Sequence, residues 1–195
     1  MKPIERGEVL GLAEYETIRP HFRARVIDEK KRRRVSLGKN ATALFENRDT
    51  VLLQIQEMLR TERITREAAI QHEIDTYNEF IPGERELSCT VMLEIDDKDE
   101  RDALLVKAKG IEDAFAVVVD GERATGHTTP DRLLPDRASA VIYLKMKLSE
   151  AAAAAVLAAA RGEAHTIELE VDHAAYRARA VIPREVIVAI AEDLG

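Results

Sequence analysis

Polar side chains crowd the segment LFENRDT, residues 44–50, where a predicted strand gives way to a predicted helix. Glu46, Arg48 and Asp49 lie here, beside the unpaired N–H groups with which a helix begins. Such N–H groups and charged side chains together can hold a polar ligand. With Arg19 from the preceding helix, these three residues form the predicted ligand-binding set. The alternative is a well-capped helix in which Arg48 makes a structural salt bridge.

The segment VVVDGERATGHT has the glycine spacing of a phosphate-binding loop, with Gly121 and Gly126 after an apolar run. Such a loop needs a lysine next and then a helix whose N-terminus faces the phosphates. His127 stands at the lysine position, and two prolines soon afterwards oppose a helix. The Asp120-Gly121 pair instead predicts a hairpin turn, so nucleotide binding through this loop is disfavoured.

The five histidines do not form a recognisable metal-binding pattern, because no two share the spacing that would set them on one helical face. We therefore predict no metal and no cofactor. A site assembled from two distant hairpins, with His127, Asp172 and His173, stays open as an alternative to turn and surface roles. Cys89 lies in an apolar run and is predicted to be a buried structural thiol rather than a nucleophile.

Five consecutive cations, Lys30 to Arg34, could grip the phosphates of a nucleic acid. Acids adjoin this run at positions 28 and 29, and cations near the end of a helix also complement its dipole. The formal net charge of the chain is -7, which favours other partners. The structural interpretation is therefore preferred, and no nucleic-acid partner is predicted.

The composition is typical of a soluble cytoplasmic protein. Of 195 residues, 46% are hydrophobic and only 4% are aromatic, so the core must be largely aliphatic. The chain starts without an apolar leader, and no run reaches the ~18 apolar residues of a membrane helix. No membrane partner is expected. The single cysteine excludes an internal disulfide and fits a reducing cytoplasm.

Residues 1–82 are predicted to form a mostly helical region. Periodicity places helical structure over 15–34, broken near Pro20 because proline restricts the residue before it. Two short strands follow. Two amphipathic helices come next, one starting near Asn47 or Asp49 and the other capped by Thr65.

The remaining residues, 83–195, contain an internal repeat at a shift of 52 residues. The shift aligns Asp97 with Ser149, both suited to begin a helix, and Gly110 with Gly162, both suited to end one. Each unit is predicted to be a strand, a helix and two strands. The predicted bounds are about 86–128 for the first unit, about 138–182 for the second and 183–194 for a closing helix.

These elements predict an α+β fold in one compact body. An N-terminal helical region with a short hairpin leads into a duplicated β-α-β-β unit, which forms a mainly antiparallel sheet of about six strands with helices on one face. Charged residues that alternate with apolar ones should line the opposite, solvated face and pair across it. They are Lys145, Lys147, Glu168, Glu170, Arg177 and Arg179.

Two segments resemble a known family. IRPHFRARVIDEKKRRRVSLG, which starts at Ile18, and LFENRDTVLLQIQEML, which ends at Leu59, are similar to the N-terminal half of an uncharacterised bacterial family, domain of unknown function 3501. The resemblance extends across the chain but implies no established activity, cofactor or catalytic residue. It does imply a context, since such proteins are encoded beside rubrerythrin-like and heterodisulfide-reductase-like iron–sulfur proteins, and hence an association with oxidative stress.

The sequence leaves the function unknown and does not decide whether the protein is an enzyme. The preferred hypothesis is a cytoplasmic accessory protein that interacts with a rubrerythrin and iron–sulfur redox module. The alternative is an enzyme or a small polar-ligand-binding protein whose site lies near the LFENRDT segment. A homodimer is expected because soluble oligomers are most often twofold.

Overall fold

The computed structural model describes residues 1–129 and 132–194, which form helices packed on one sheet. The first part contains α1 (Leu12–Lys31), β1 (Arg34–Ser36), β2 (Ala41–Glu46), α2 (Arg48–Thr61) and α3 (Glu67–Asn78). The second part contains β3 (Glu86–Leu93), α4 (Lys98–Lys107), β4 (Phe115–Val119), β5 (Glu122–His127), β6 (Val141–Lys147), α5 (Glu150–Arg161), β7 (Ile167–His173), β8 (Tyr176–Val181) and α6 (Arg184–Leu194). None of the helices in these ranges is long and apolar enough to span a membrane.

Helix α1 runs without interruption through Pro20, so the predicted break there was wrong. Proline removes one backbone hydrogen bond and crowds the preceding turn, which disfavours a helix interior. Packing against α2 offsets this penalty, because Tyr15 is fully buried and its hydroxyl donates a hydrogen bond to Glu57 (2.6 Å). Tertiary contacts thus override the local preference of the chain.

Helix α2 begins where the sequence predicted. The Asn47 side chain accepts a hydrogen bond from the N–H of Thr50 (2.9 Å), and the Thr50 hydroxyl accepts one from the N–H of Asn47 (2.9 Å). This reciprocal pair is a capping box. The predicted cap of the next helix was wrong, because α3 is preceded by Arg66 rather than Thr65 and has no side-chain cap bond.

The eight strands form one sheet in the order β1-β2-β3-β6-β5-β4-β7-β8. Every pair of neighbouring strands is antiparallel, which confirms the predicted sheet type and the α+β class. The sheet has eight strands rather than six, because the N-terminal hairpin pairs with β3 and extends it. The parts of the chain before and after residue 82 therefore share one sheet.

A hydrogen-bonded contact nearly closes this sheet into a barrel. Tyr176 begins β8, and its hydroxyl donates to the carbonyl of Leu37 (2.6 Å) and accepts from the N–H of Asn40 (3.1 Å) in the β1–β2 turn. Gly38 lies in that turn with φ of +73°, and a β-carbon there would lie 2.7 Å from the Tyr176 hydroxyl oxygen. We call this contact between residues 37–40 and Tyr176 the seam.

The inner side of the sheet packs on α5 and α6 and forms the main hydrophobic core. Phe45, Phe115 and Leu144 point into it from the strands, and Ile190 points into it from α6. The Cys89 thiol is buried here, as predicted, and burial raises its pKa well above the usual range. The thiol is therefore unreactive in the folded protein.

The helices lie on both sides of the sheet, so the prediction of helices on one face was wrong. Helices α2 and α3 form a second apolar cluster with residues such as Ile55 and Ile74, and Tyr143 on the outer side of β6 packs against it. The apolar stripes of these two helices are buried mainly against each other and against Ile4 and Val9 of the N-terminal segment.

The outer side of β7 and β8 carries the charged pairs that the sequence predicted. Arg179 lies 2.7 Å from Glu168, and Arg177 lies 2.8 Å from Asp172. Three of these four side chains are at least half exposed, and Glu168 is 19% exposed, so each pair contributes about 1 kcal/mol or less. Their main effect is to keep this side of the sheet polar.

A buried ion pair joins the first helix to the last. Arg33 follows α1, is only 1% exposed and donates through Nη1 to Asp193 (2.5 Å) and through Nη2 to the carbonyl of Ala189 (3.0 Å), both in α6. Its Nε donates to Glu29. Burial raises the pKa of Asp193, and the guanidinium of Arg33 opposes that rise. We call Glu29, Arg33 and Asp193 the clasp.

Acid should weaken the contact between α1 and α2 through Glu57. Its carboxylate accepts hydrogen bonds from Arg19 and from Tyr15, and these lower its pKa from 4.5 to about 2. A depressed pKa stabilises the fold above pH 4.5, and this stabilisation is lost as the pH falls towards 2. In urea titrations, Glu57→Gln should flatten the pH dependence in this window by up to about 2 kcal/mol. An unchanged acid limb would contradict this expectation.

Candidate functional site

The structure places Arg19 and Asp49, two of the four predicted ligand-binding residues, in ion pairs between helices. Arg19 donates to Glu57 through Nε (2.7 Å) and Nη2 (2.9 Å). Asp49 accepts a hydrogen bond from Arg25 (2.5 Å). Both pairs connect α1 with α2, and their charges are engaged in holding these helices together.

Arg48 and Glu46 have different surroundings. Arg48 donates to Glu8 and to the carbonyl of Lys2 (3.1 Å), and so fastens the N-terminal segment to α2. This is the structural salt bridge that the sequence offered as the alternative. Glu46 instead lines a cavity of about 210 Å³, here called the Glu46 cavity. The four residues do not form one cluster, and of the four only Glu46 lines the Glu46 cavity.

Strand register shows how the outer side of the sheet builds this cleft. One row of paired residues crosses β1, β2, β3 and β6 and contains Arg34, Leu44, Thr90 and Tyr143. The next row crosses β2, β3, β6 and β5 and contains Glu46, Ser88, Lys145 and His127. Residues two apart on a strand share a face, so both rows belong to one surface.

The Glu46 carboxylate is held by two hydroxyl groups. Its Oε1 accepts a hydrogen bond from Thr90 on β3 (2.6 Å), and its Oε2 accepts one from Thr50 on α2 (2.5 Å). A carboxylate has about four acceptor positions, so each oxygen can accept another donor. The two threonines therefore fix the direction of Glu46 without exhausting its capacity to bind a ligand.

Five other polar side chains around the Glu46 cavity make no hydrogen bond or ion pair with the described residues. They are Lys30 from the end of α1, Arg34 from β1, Gln54 from α2, Tyr77 from α3 and Tyr143 from β6. Burial, the neighbouring Tyr77 and the charge of Glu46 raise the pKa of Tyr143, so its hydroxyl is a neutral donor. Polar groups that converge on a cavity in this way are typical of a ligand site.

The five consecutive cations, Lys30 to Arg34, have two different roles: some make ion pairs within the fold, and others line the Glu46 cavity. The middle members of the run make ion pairs: Lys31 with Asp28 (2.7 Å), Arg32 with Glu192 (2.7 Å), and Arg33 within the clasp. The structural interpretation from the sequence therefore holds for these three. The first and last cations of the run are the two that line the Glu46 cavity.

A second cavity, of about 270 Å³, adjoins the first and is here called the Lys145 cavity. Phe80 and Tyr143 border both cavities, and their rings stack at 4.3 Å. The guanidinium of Arg132 lies 4.4 Å from the centre of the Phe80 ring and 2.9 Å from a carboxylate oxygen of Glu79. A cation over an aromatic face is held by the negative potential of the ring.

The lysines of the Lys145 cavity differ in their partners. Lys145 lies 2.9 Å from Glu86, which compensates its charge. Lys147 donates to the backbone carbonyl of Glu84, so no carboxylate within the described residues neutralises it. His127 also lines this cavity, beside Lys145 in the strand register. The cavity therefore offers an uncompensated ammonium group.

Both cavities carry excess positive charge, although the chain as a whole carries -7. Two cations and one carboxylate line the Glu46 cavity, and three cations and two carboxylates line the Lys145 cavity, with histidine taken as neutral. Clefts focus the field of the charges that line them. Each of the two cavities is thus suited to an anion.

Sequence reasoning found only part of this site. It singled out Glu46 and placed Lys145 and Lys147 on an outer face, but it missed Tyr143 and Phe80. The alternation in VIYLKMKL does put Tyr143 on the face of the two lysines, so a signal existed. The position of α2 and α3 beside the Glu46 cavity could not be predicted in this way. The apolar stripe of a helix shows that the helix packs on something, but not on which surface.

No group of three or more histidine, cysteine, aspartate or glutamate side chains in ranges 1–129 and 132–194 is arranged to hold a metal ion. The alternative site with His127, Asp172 and His173 is not formed there. His127 lies on β5 next to Lys145, whereas Asp172 makes an ion pair with Arg177 (2.8 Å) on the β7–β8 hairpin.

Comparison with known proteins extends the resemblance seen in the sequence. A family model described as a protein of unknown function, DUF3501, matches residues 3–194. A crystal structure of a novel protein of unknown function from Burkholderia pseudomallei is 34% identical, covers 100% of both chains and has a TM-score of 0.89. No curated protein matches the sequence. Because the family model spans nearly the whole chain, the protein belongs to the DUF3501 family of unknown function.

Proposed function

We propose that the protein binds a small organic anion in the cleft formed by the Glu46 and Lys145 cavities. The observation that carries this proposal is the set of five polar side chains around Glu46 that have no internal partner. Lys30, Tyr77 and Tyr143 are partly buried and Arg34 and Gln54 are exposed, so a ligand can reach all five and replace the water that otherwise satisfies them. A site here agrees with the hypothesis of a ligand site near the LFENRDT segment.

The side chains suggest which groups the ligand carries. Lys30 and Arg34 would bind its anionic group, since both are cations without a carboxylate partner among the described residues. Glu46 would accept a hydrogen bond from a hydroxyl or amine of the ligand, and the Tyr143 hydroxyl would donate one. Hydroxy acids and amino acids carry both kinds of group.

Calorimetric titration with a panel of small hydroxy-carboxylates and amino acids tests the proposal. At least one member should bind saturably, and the double variant Lys30→Gln/Arg34→Gln should weaken it by tenfold or more, because each charge-assisted hydrogen bond contributes about 1.5–3 kcal/mol. The matched control is Arg23→Gln/Lys109→Gln, which removes the same charge at exposed positions away from the cleft. No binding by any member, or equal losses in both double variants, would contradict the proposal.

We also propose the accessory role beside a rubrerythrin and iron–sulfur redox module, on the support of the family context. The solvent-exposed charged pairs on β7 and β8 are the surface through which such a partner would dock, because charge complementarity guides protein association. Anaerobic affinity purification from the native host, with mass spectrometry and metal analysis, should recover such a protein. Charge reversal by Arg177→Glu and Arg179→Glu should reduce its recovery. A partner-free eluate would count against this role.

We infer, in addition, that the two strand–helix–strand–strand units are a duplication. Exchanging β3 with β6, β4 with β7 and β5 with β8 maps four of the five strand pairs among them onto observed pairs. The exception is the pair of β5 with β6. The exchange would turn it into a pair of β8 with β3, but β3 pairs instead with β2 of the N-terminal hairpin. Asp97 and Ser149 also cap α4 and α5 in the same way.

Homodimerisation and a cytoplasmic location stay predictions from the sequence. Light scattering coupled to gel filtration would measure the first directly. A mass near twice 21.8 kDa is the expected result, and the mass of one chain would contradict it.

A further inference from the structure

The proposed cleft has a positively charged group at each end, and this arrangement restricts the ligand further. We infer that the ligand is an elongated organic dianion, with one anionic group at Lys30 and Arg34, another at Lys147, and an apolar middle. The inference rests on the proposed function, because it assumes that an anion occupies the Glu46 cavity. It adds the second anchor and the chemical nature of the part between them.

The strand register sets the distance between the two ends. Arg34 on β1 and Tyr143 on β6 occupy one row with two strands between them. Strands lie about 4.8 Å apart, so these two backbones are separated by about 14 Å. Lys147 lies four residues beyond Tyr143 on β6, which moves the second end further away. One carboxylate or phosphate group cannot reach both ends at once.

The walls between the two ends are mostly apolar. The stacked rings of Phe80 and Tyr143 lie where the two cavities meet. Leu44 and Met92 line the Glu46 cavity beside these rings. A methylene chain or an aromatic ring would bury apolar surface here, which is favourable, whereas a polar middle would lose its hydration without replacement.

The partners of the lysines explain why the second anchor is Lys147. Lys145 already lies 2.9 Å from Glu86, so an anion would have to displace that carboxylate. Lys147 is bound only by a neutral carbonyl oxygen within the described residues, and its charge is available to a ligand. Arg132 is held by Glu79 and by the Phe80 ring, and so contributes to the wall.

Calorimetric titration with suberate and octanoate tests the inference. The two molecules have the same carbon chain, but octanoate lacks the second carboxylate. Suberate should bind at least tenfold more tightly than octanoate to the unmodified protein. In Lys147→Gln the ratio of suberate affinity to octanoate affinity should fall to about one, because suberate affinity is lost. The control variant Lys109→Gln changes an exposed lysine on another part of the surface and should leave this ratio unchanged.

The outcomes separate this inference from the proposed function. Equal affinities for suberate and octanoate, or a ratio that survives Lys147→Gln, would overturn the two-ended ligand. The proposed function would still stand if a member of the hydroxy-acid and amino-acid panel bound and was weakened by Lys30→Gln/Arg34→Gln. Failure of suberate to bind at all would likewise overturn the inference, since the cleft would then not accept an elongated dianion. Melting temperatures of each variant verify that folding is retained.

Discussion

Replacing Arg33 by methionine is expected to lower the free energy of unfolding by about 3–5 kcal/mol. Methionine fills much of the same volume but leaves Asp193, which is 8% exposed, without its cation. It also removes the hydrogen bond to the carbonyl of Ala189 (3.0 Å). Urea denaturation followed by circular dichroism would measure the loss.

Two further variants make this test specific to the clasp. Arg32→Met changes the adjacent arginine, which pairs with Glu192 and with Glu29 but leaves the buried Arg33–Asp193 pair in place. Because Arg32 is 38% exposed, this variant should cost only about 1 kcal/mol. Arg33→Met/Asp193→Leu removes both charges and should be more stable than Arg33→Met alone, because no unpaired carboxylate remains buried at this position. If Arg33→Met and Arg32→Met lower the free energy of unfolding equally, burial of the Arg33–Asp193 pair does not add to its effect on stability.

Substitution of Gly38 by alanine is expected to cost about 2–4 kcal/mol. The residue has φ of +73°, which residues with a β-carbon rarely adopt. The added carbon would also lie 2.7 Å from the hydroxyl oxygen of Tyr176, so the seam would have to open or shift. The free energy of unfolding in urea again provides the measurement.

Gly121 offers a matched control for this substitution. It too has a positive φ, +91°, but a β-carbon there would meet no atom within 4 Å. Gly121→Ala should therefore cost only the backbone penalty, about 1 kcal/mol. If Gly38→Ala and Gly121→Ala cost the same, the contact with Tyr176 does not contribute. In Gly38→Ala/Tyr176→Phe part of the loss should be recovered, since the colliding hydroxyl is absent.

Some features fixed by neighbouring residues were predictable from the sequence, although the predicted cap of α3 at Thr65 was wrong, and several features fixed by distant contacts were missed. The start of α2 was predicted near Asn47 or Asp49, and it is set by the Asn47 cap, whose partner Thr50 lies three residues away. The continuity of α1 through Pro20 was missed because packing against α2 decides it. The attachment of the β1–β2 hairpin to β3 was missed for the same reason.

For the candidate site, too, the sequence showed what depends on neighbouring residues and missed what depends on distant contacts. Glu46 was found because a charged residue at a strand-to-helix junction is visible in the sequence. The different roles within the run of five cations were not visible, because Arg33 finds Asp193, which lies 160 residues further along the chain. The site that Arg19, Arg48 and Asp49 were expected to share depended on the spacing of helices, which no local pattern provides.

The position of the N-terminal hairpin bears on how the protein avoids aggregation. Strands with a bare edge are templates for intermolecular β-sheet, and a sheet that is not fully closed has two such edges. Here one edge strand, β1, has only three residues, and the seam holds its turn against the start of β8. Without residues 1–82, β3 and β8 would both lie open along their length. Residues 1–82 therefore protect the sheet against self-association. Residues 83–195 produced alone are expected to exchange strands between molecules and to be poorly soluble.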